Sequence, residues 1–153
     1  MNRLLTCLLG TGLAATAALA APATPAPAPA ASEFPPANPA AAIAEVEAVV
    51  RAWAAAWSAR DVPRYLSAYA PDFTPARGQD RLAWETDRRA RIAGKSAIRV
   101  DIEKLVISIR GPSASATFWQ VYSADKLSER SRKTLELQRV GNRWLIRRES
   151  AGG

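Results

Sequence analysis

Residues 98–110, IRVDIEKLVISIR, alternate apolar and polar side chains and decide the fold class. A period of two is the side-chain period of a β-strand that buries one face. The apolar residues change phase at Glu103-Lys104, moving from even-numbered to odd-numbered positions. A one-residue change of phase predicts either a β-bulge within one strand or a break between two strands.

Further alternating segments follow this stretch toward the C-terminus. Gly111-Pro112-Ser113 is typical of a turn, and Gly141-Asn142 is typical of a tight hairpin. Because short turns join consecutive antiparallel strands, the second half of the chain predicts an antiparallel sheet of about four strands. The later strands are predicted at 114–124, 130–140 and 144–149.

Three helices are predicted before the sheet. Each begins at a side chain that can cap a helix N-terminus and then carries apolar residues at three- and four-residue steps. They run from Asn38 to about Arg60, from Asp61 to Pro71, and from Asp80 to Gly94, with residues 72–78 as a loop. Helices followed by an antiparallel sheet with a bulge predict the α+β class, in which a strongly curved sheet wraps the helices.

The first 38 residues have a different composition. A positive start, an apolar stretch without charges and the motif Ala18-Leu19-Ala20 predict a signal peptide over residues 1–20, with an uncleaved membrane anchor as the alternative. Residues 21–38 are rich in proline and alanine and predict a tether. The domain then spans residues 39–151. The protein is therefore expected in the periplasm or outside the cell, without a transmembrane segment after cleavage.

The formal net charge is +7, and the domain carries all of it because Arg3 and Glu33 cancel. In an exported protein a basic surface favours envelope polymers, anionic glycans or lipid headgroups over nucleic acid. The alternative is a basic surface without a specific partner. Cys7 is the single cysteine and leaves with the signal peptide, so no disulfide is predicted.

Several short pieces of the sequence resemble the nuclear transport factor two-like (SnoaL-like) family. The resemblance covers about residues 40–149, and its most telling pieces are AWAAAWSARD at 52–61, YLSAY at 65–69, Trp84, Arg91-Ile92, FWQVY at 118–122, KTL at 133–135 and GNRWLI at 141–146. The combination is most similar to the C-terminal accessory domain of bacterial cell-shape peptidases of the L,D-transpeptidase type. The resemblance implies a cone fold with an internal pocket. It implies no wall cleavage, because the catalytic Cys-His pair is missing.

The sequence offers little for catalysis. It has no histidine, which removes the commonest general base and metal ligand. Asp72 follows Pro71 and is typical of a turn residue, whereas Asp61 and Asp80 are predicted to cap helices. No catalytic residue, metal site or cofactor is predicted, although a small isomerase, cyclase or hydrolase of the SnoaL-like type remains an alternative.

A ligand-binding pocket is the preferred hypothesis. If Phe118 faces the interior, polar side chains of the same face project into an apolar cavity, and a lysine there needs an anionic or polyhydroxyl ligand or a carboxylate partner. The candidate ligand-binding residues are Trp84, Arg88, Arg91, Gln120, Tyr122 and Lys133. The alternatives are that Trp84 belongs to the core, that Gln120 and Tyr122 satisfy each other, and that Lys133 lies at the sheet edge.

The opposite face of the sheet gives a second hypothesis. Thr117, Trp119, Val121 and Leu145 would form an exposed apolar strip, and such strips commonly mark protein contacts. Members of the resembled family often dimerise through this face. A homodimer or an envelope protein partner is therefore the alternative to a small-molecule or glycan ligand.

Overall fold

The structure, a computed structural model, describes residues 38–152. The predicted signal peptide and all of the predicted tether except Asn38 lie outside the described residues. No helix within 38–152 is both long enough and apolar enough to cross a membrane. The elements are α1 (Pro39–Ser58), α2 (Val62–Leu66), β1 (Tyr69–Thr74), a 3₁₀ turn (Ala76–Gly78), α3 (Arg81–Ala93), β2 (Ile98–Arg110), β3 (Ser113–Ala124), β4 (Leu127–Val140) and β5 (Arg143–Ala151).

Helix α1 forms as its sequence pattern predicts. The Asn38 side chain accepts a hydrogen bond from the backbone N–H of Ala40, and Pro39 occupies the first turn. One face of the helix is buried in the domain core, through Val46, Val50, Trp53 and Trp57 among others. At its other end the Ser58 hydroxyl accepts a hydrogen bond of 2.9 Å from the backbone N–H of Val100. This bond ties the helix to β2.

Asp80 caps α3 by accepting hydrogen bonds from the backbone N–H groups of Leu82 and Ala83. We expect Asp80→Ala to lower the free energy of unfolding by about 1 kcal/mol, because two N–H groups lose their acceptor. Asp80→Ser should retain most of the stability. Urea denaturation of the two variants measures the difference, and equal losses would contradict the capping role.

The prediction for residues 67–74 is wrong. The second helix ends at Leu66, and Tyr69–Thr74, expected as helix end and loop, form strand β1. β1 pairs in parallel with β5, and the backbone N–H of Ile146 donates to the carbonyl of Ala68. A proline at position 71 is tolerated because β1 is an edge strand. The sheet consequently has five strands and is mixed rather than wholly antiparallel.

The strand order is β1-β5-β4-β3-β2, and β2 to β5 form the predicted antiparallel meander. The phase change in β2 is a bulge within one strand, because the register with β3 shifts between Glu103 and Val106. Lys104 has a positive φ of 51° at this point. We call the sheet face that packs on α1 the inner face. Phe118 of β3 lies on it, with its ring 6.2 Å from that of Trp53.

A second bulge lies in β5 and changes which of its side chains face inward. Leu137 of β4 pairs with Ile146, but Glu136 pairs with Arg148, so Arg147 is an extra residue. Without the extra residue, strict alternation from Ile146 would send Arg148 inward and Glu149 outward. With it, Glu149 pairs with the buried Leu135 and shares its face.

Candidate functional site

Six side chains, one from each of six elements, meet on the inner face of the sheet. Glu149 lies at their centre, and the others reach it directly or through one hydroxyl. We call this cluster the cone site: Trp53, Tyr65, Tyr69, Arg88, Lys133 and Glu149.

Two cations contact one oxygen of Glu149. Lys133 Nζ lies 2.9 Å and Arg88 Nη2 lies 3.3 Å from Oε1. The side chains of Lys133 and Glu149 are only 7% and 10% exposed, whereas that of Arg88 is 22% exposed. Lys133 Nζ also lies 5.8 Å from the ring centroids of both Trp53 and Trp57. A buried ammonium is thus held by a carboxylate and two aromatic faces.

The second oxygen of Glu149 ends a chain of hydroxyl groups. The Tyr69 hydroxyl lies 2.8 Å from Oε2 of Glu149 and 2.8 Å from the Tyr65 hydroxyl. Trp53 Nε1 donates a hydrogen bond of 2.9 Å to the Tyr69 hydroxyl. A carboxylate only accepts hydrogen bonds, and a tyrosine hydroxyl has one proton. The Tyr69 hydroxyl therefore donates a hydrogen bond to Glu149 and accepts one from the Tyr65 hydroxyl. Only this orientation of the two hydroxyl groups is compatible with an ionised Glu149.

The surroundings hold Glu149 in its ionised form. Burial raises the pKa of the Glu149 carboxyl, but Lys133, Arg88 and the hydrogen bonds from Lys133 and Tyr69 outweigh burial, so its pKa lies below the ordinary value. Burial raises the pKa of Tyr65 and Tyr69, and the negative charge of Glu149 raises them further. The site therefore contains an ionised carboxylate beside two neutral phenols.

The contacts leave the cone site with an excess of positive charge. Lys133 and Arg88 contribute two positive charges, and Glu149 contributes one negative charge. Neutralising one cation still leaves the other without a full counter-charge in a largely buried place. Such an arrangement favours an anion near Arg88, the most exposed of the three.

Gln120 also lies on the inner face and is 6% exposed. Its side-chain oxygen Oε1 is buried and has no hydrogen-bond partner among the described residues. The sequence left open that Gln120 and Tyr122 satisfy each other, but this oxygen is not satisfied. The Tyr122 ring instead packs against Trp57, with ring centroids 5.2 Å apart.

The remaining predicted ligand-binding residues divide into two groups. Trp84 is buried against Tyr69 and Phe73, with ring centroids 4.7 and 4.6 Å away, so it is a core residue beside the cone site. The Arg88 guanidinium lies 5.5 Å from the Trp84 ring centroid. Arg91, also predicted as a ligand-binding residue, is exposed on α3 and is not part of the cone site. Of the two arginines of α3 among the predicted ligand-binding residues, Arg88 is the one that contacts Glu149.

The expected apolar strip on the outer face is less apolar than predicted. Thr117, Trp119 and Val121 are half-buried there, but Leu145 is only 8% exposed, so its inclusion in an exposed strip is wrong. The Arg130 guanidinium covers the Trp119 ring at 4.2 Å from its centroid and pairs with Glu103. A homodimer through this face stays a prediction.

Sequence reasoning missed the centre of the site. Glu149 was passed over because strict alternation from Trp144 and Ile146 directs it outward, and the bulge at Arg147 reverses that direction. Tyr65 and Tyr69 lie within the segment predicted as the second helix, and nothing in that pattern indicates that their hydroxyl groups meet a carboxylate. The buried Lys133 was the available signal, since a buried lysine requires an anionic partner, and a partner carboxylate was one of the stated possibilities.

Two cavities open on the domain, and Trp53 is the one cone-site residue that lines either of them. One has a volume of about 570 Å³ and is lined by residues from all five strands, among them the polar residues Asp72, Arg110 and Arg147. The other, of about 360 Å³, lies between α1 and the β4–β5 hairpin and is lined by Trp53 and Trp144 among others. Neither is lined by Gln120, Lys133 or Glu149. Within 38–152, no three potential metal-ligating side chains of His, Cys, Asp or Glu cluster together.

Residues 45–150 match the family described as the Cds6 C-terminal NTF2-like domain. The chain belongs to this family. No curated protein matches this NTF2-like chain.

Solved structures of low identity share the NTF2-like fold. Bd1075 of Bdellovibrio bacteriovorus is 21% identical with a TM-score of 0.66, over 71% of this chain and 39% of its own. An NTF2-like protein of unknown function from Pseudomonas putida KT2440 is 20% identical with a TM-score of 0.65, over 74% and 87%. The helical cell shape determining protein Pgp2 of Campylobacter jejuni is 17% identical with a TM-score of 0.64, over 71% and 40%. The aligned part thus spans about two fifths of Bd1075 and of Pgp2.

Proposed function

We propose that this protein is an exported, non-catalytic binding module whose cone site recognises an anionic fragment of the cell envelope, such as a peptidoglycan fragment or an acidic glycan. The observation that carries the proposal is the excess positive charge around Glu149. Lys133 and Arg88 share a single carboxylate in a largely buried place. An anionic group of a ligand would supply the missing counter-charge.

The protonation states favour binding over proton-transfer catalysis. A general base or acid works best when its pKa lies near the operating pH. The pKa of Glu149 is lowered, so the carboxylate is a weak base, and those of Tyr65 and Tyr69 are raised, so the phenols are weak acids. Tyrosines and a carboxylate do converge in the cone site, as an enzyme would require, but their pKa values move away from neutrality.

The envelope location rests on two separate supports. One is the signal peptide predicted from residues 1–20, which directs the protein out of the cytoplasm. The other is the shared fold with Pgp2, a protein whose name records a role in helical cell shape. An anionic wall fragment also suits a chain with a formal net charge of +7.

Binding of N-acetylmuramic acid, compared with N-acetylglucosamine, tests the proposal. The two sugars differ by the lactyl carboxylate, so we expect calorimetry or NMR titration to detect the first and not the second. Arg88→Gln should weaken binding about tenfold or more, because it removes a charged hydrogen-bond donor.

Arg91→Gln is the matched control, because it removes the same charge from an exposed position of the same helix. It should leave the affinity nearly unchanged. Equal losses in the two variants would show that only the overall charge matters. Absence of binding to every anionic fragment would contradict the proposed function.

A further inference from the structure

We infer that the ligand of the cone site carries a hydrogen-bond donor close to its anionic group, and that the side-chain oxygen of Gln120 accepts a hydrogen bond from this donor. This inference rests on the proposed function and narrows it. The ligand class becomes a carboxylate that bears a hydroxyl, an ammonium or an amide N–H. N-acetylmuramic acid is one member of this class.

The first support is the side-chain oxygen of Gln120. It is buried and has no hydrogen-bond partner among residues 38–152. A buried acceptor without a partner destabilises the folded protein, so such groups in native proteins commonly meet a ligand or an ordered water. A carbonyl oxygen only accepts, and therefore the group that meets it must be a donor.

The second support is the position of Gln120 relative to Lys133. In the register of β3 with β4, Phe118 lies opposite Lys133 and Gln120 lies opposite Ser131. Gln120 and Lys133 are therefore diagonal neighbours on the same face, and diagonal neighbours are separated by about 7–8 Å. The separation of the two side chains is within the length of one small molecule.

The third support is the position of Gln120 beside partly exposed residues of the inner face. Ile102 and Ser131 lie directly opposite Gln120 on the two flanking strands, and Tyr122 lies two residues further along β3. All three are half-buried, whereas Phe118 on the other side of Gln120 is fully buried. The unpartnered oxygen thus lies one residue inside the partly exposed rim of the inner face.

The two features together select against simpler ligands. A neutral sugar can donate to Gln120 but brings no counter-charge to Lys133 and Arg88. A plain carboxylate brings the counter-charge but leaves the Gln120 oxygen unsatisfied. A site that hydrogen-bonds a ligand group discriminates strongly against analogues that lack it, because its own buried polar group then stays unpaired.

Three small probes with one carbon skeleton separate these contributions. Lactate has a carboxylate and a hydroxyl, propionate lacks the hydroxyl, and lactamide lacks the charge. In NMR titrations of the whole chain we expect lactate to bind about tenfold more tightly than propionate, because tenfold corresponds to about 1.4 kcal/mol, which lies within the range for one hydrogen bond. Lactamide should also bind about tenfold more weakly than lactate, because it brings no counter-charge to Lys133 and Arg88.

Gln120→Leu tests whether Gln120 accepts the hydrogen bond from the ligand. It removes the acceptor at similar volume, so the variant should fold, and lactate should then bind no better than propionate. Equal lactate and propionate affinities in the unmodified chain would overturn the inference and leave the proposed function standing. A lactate preference that survives in Gln120→Leu would also overturn it. Failure of all carboxylates to bind would overturn both proposals.

Discussion

Replacing Lys133 with methionine is expected to lower the free energy of unfolding by about 3–5 kcal/mol, the range for breaking a buried ion pair by removing one partner. The side chains of Lys133 and Glu149 are 7% and 10% exposed, and their charged atoms lie 2.9 Å apart. Without Lys133, Glu149 keeps only the longer contact from Arg88 and the hydroxyl of Tyr69. Urea denaturation at neutral pH measures the loss.

The double variant Lys133→Met with Glu149→Met provides the control. It removes both charges and fills the space with apolar groups of similar size, so it should be more stable than Lys133→Met alone. If the double variant is less stable than the single variant, Glu149 does not depend on Lys133. Because Arg88 is partly exposed, it can turn toward solvent when Glu149 is absent.

Replacing Glu149 with glutamine is expected to cost about 3–5 kcal/mol at neutral pH and to flatten the loss of stability in acid. The folded-state pKa of Glu149 lies below the ordinary glutamate value of about 4.3. A depressed pKa contributes stability that is fully present above the unfolded-state pKa and is lost as pH falls through the folded-state pKa. The unmodified chain should therefore lose this contribution below about pH 4.3, whereas the glutamine variant has none to lose.

Glu136→Gln is the control for the acid experiment. Glu136 is exposed on β4, and its contact with Arg148 is 3.8 Å long. An exposed pair of this kind contributes little to stability, so this variant should follow the acid curve of the unmodified chain. If Glu149→Gln and Glu136→Gln have the same acid profile, the Glu149 carboxylate is not held in its ionised form by its neighbours.

The cone site combines stabilisation with a capacity for recognition. Hydrogen bonds from Tyr69 and Lys133 hold Glu149 in place. Arg88 shares the single negative charge of Glu149 with Lys133, and the side-chain oxygen of Gln120, beside the cone site, has no hydrogen-bond partner among the described residues. Burying charged and polar groups costs free energy that an apolar core would not. A bound ligand would recover part of this cost, so ligand binding and domain stability should rise together.

Local patterns predicted most of the elements. The caps at Asn38, Asp61 and Asp80 start three helices, and the phase change at Glu103-Lys104 is a bulge, because these features depend on neighbours in sequence. β1 was missed because its strand character depends on pairing with β5, which is distant in the chain. A short segment with a central proline carries little strand signal of its own.

The sequence by itself determined the α+β class, the starts of the helices and the antiparallel meander, since each follows from periodicity and capping within a few residues. Only the tertiary structure decided which partner Lys133 meets, because a single extra residue in β5 turns Glu149 inward against expectation. It also decided that Arg88, and not Arg91, reaches the cone site from α3. Register and helix rotation are set by packing between distant segments, and the sequence pattern of one segment does not contain them.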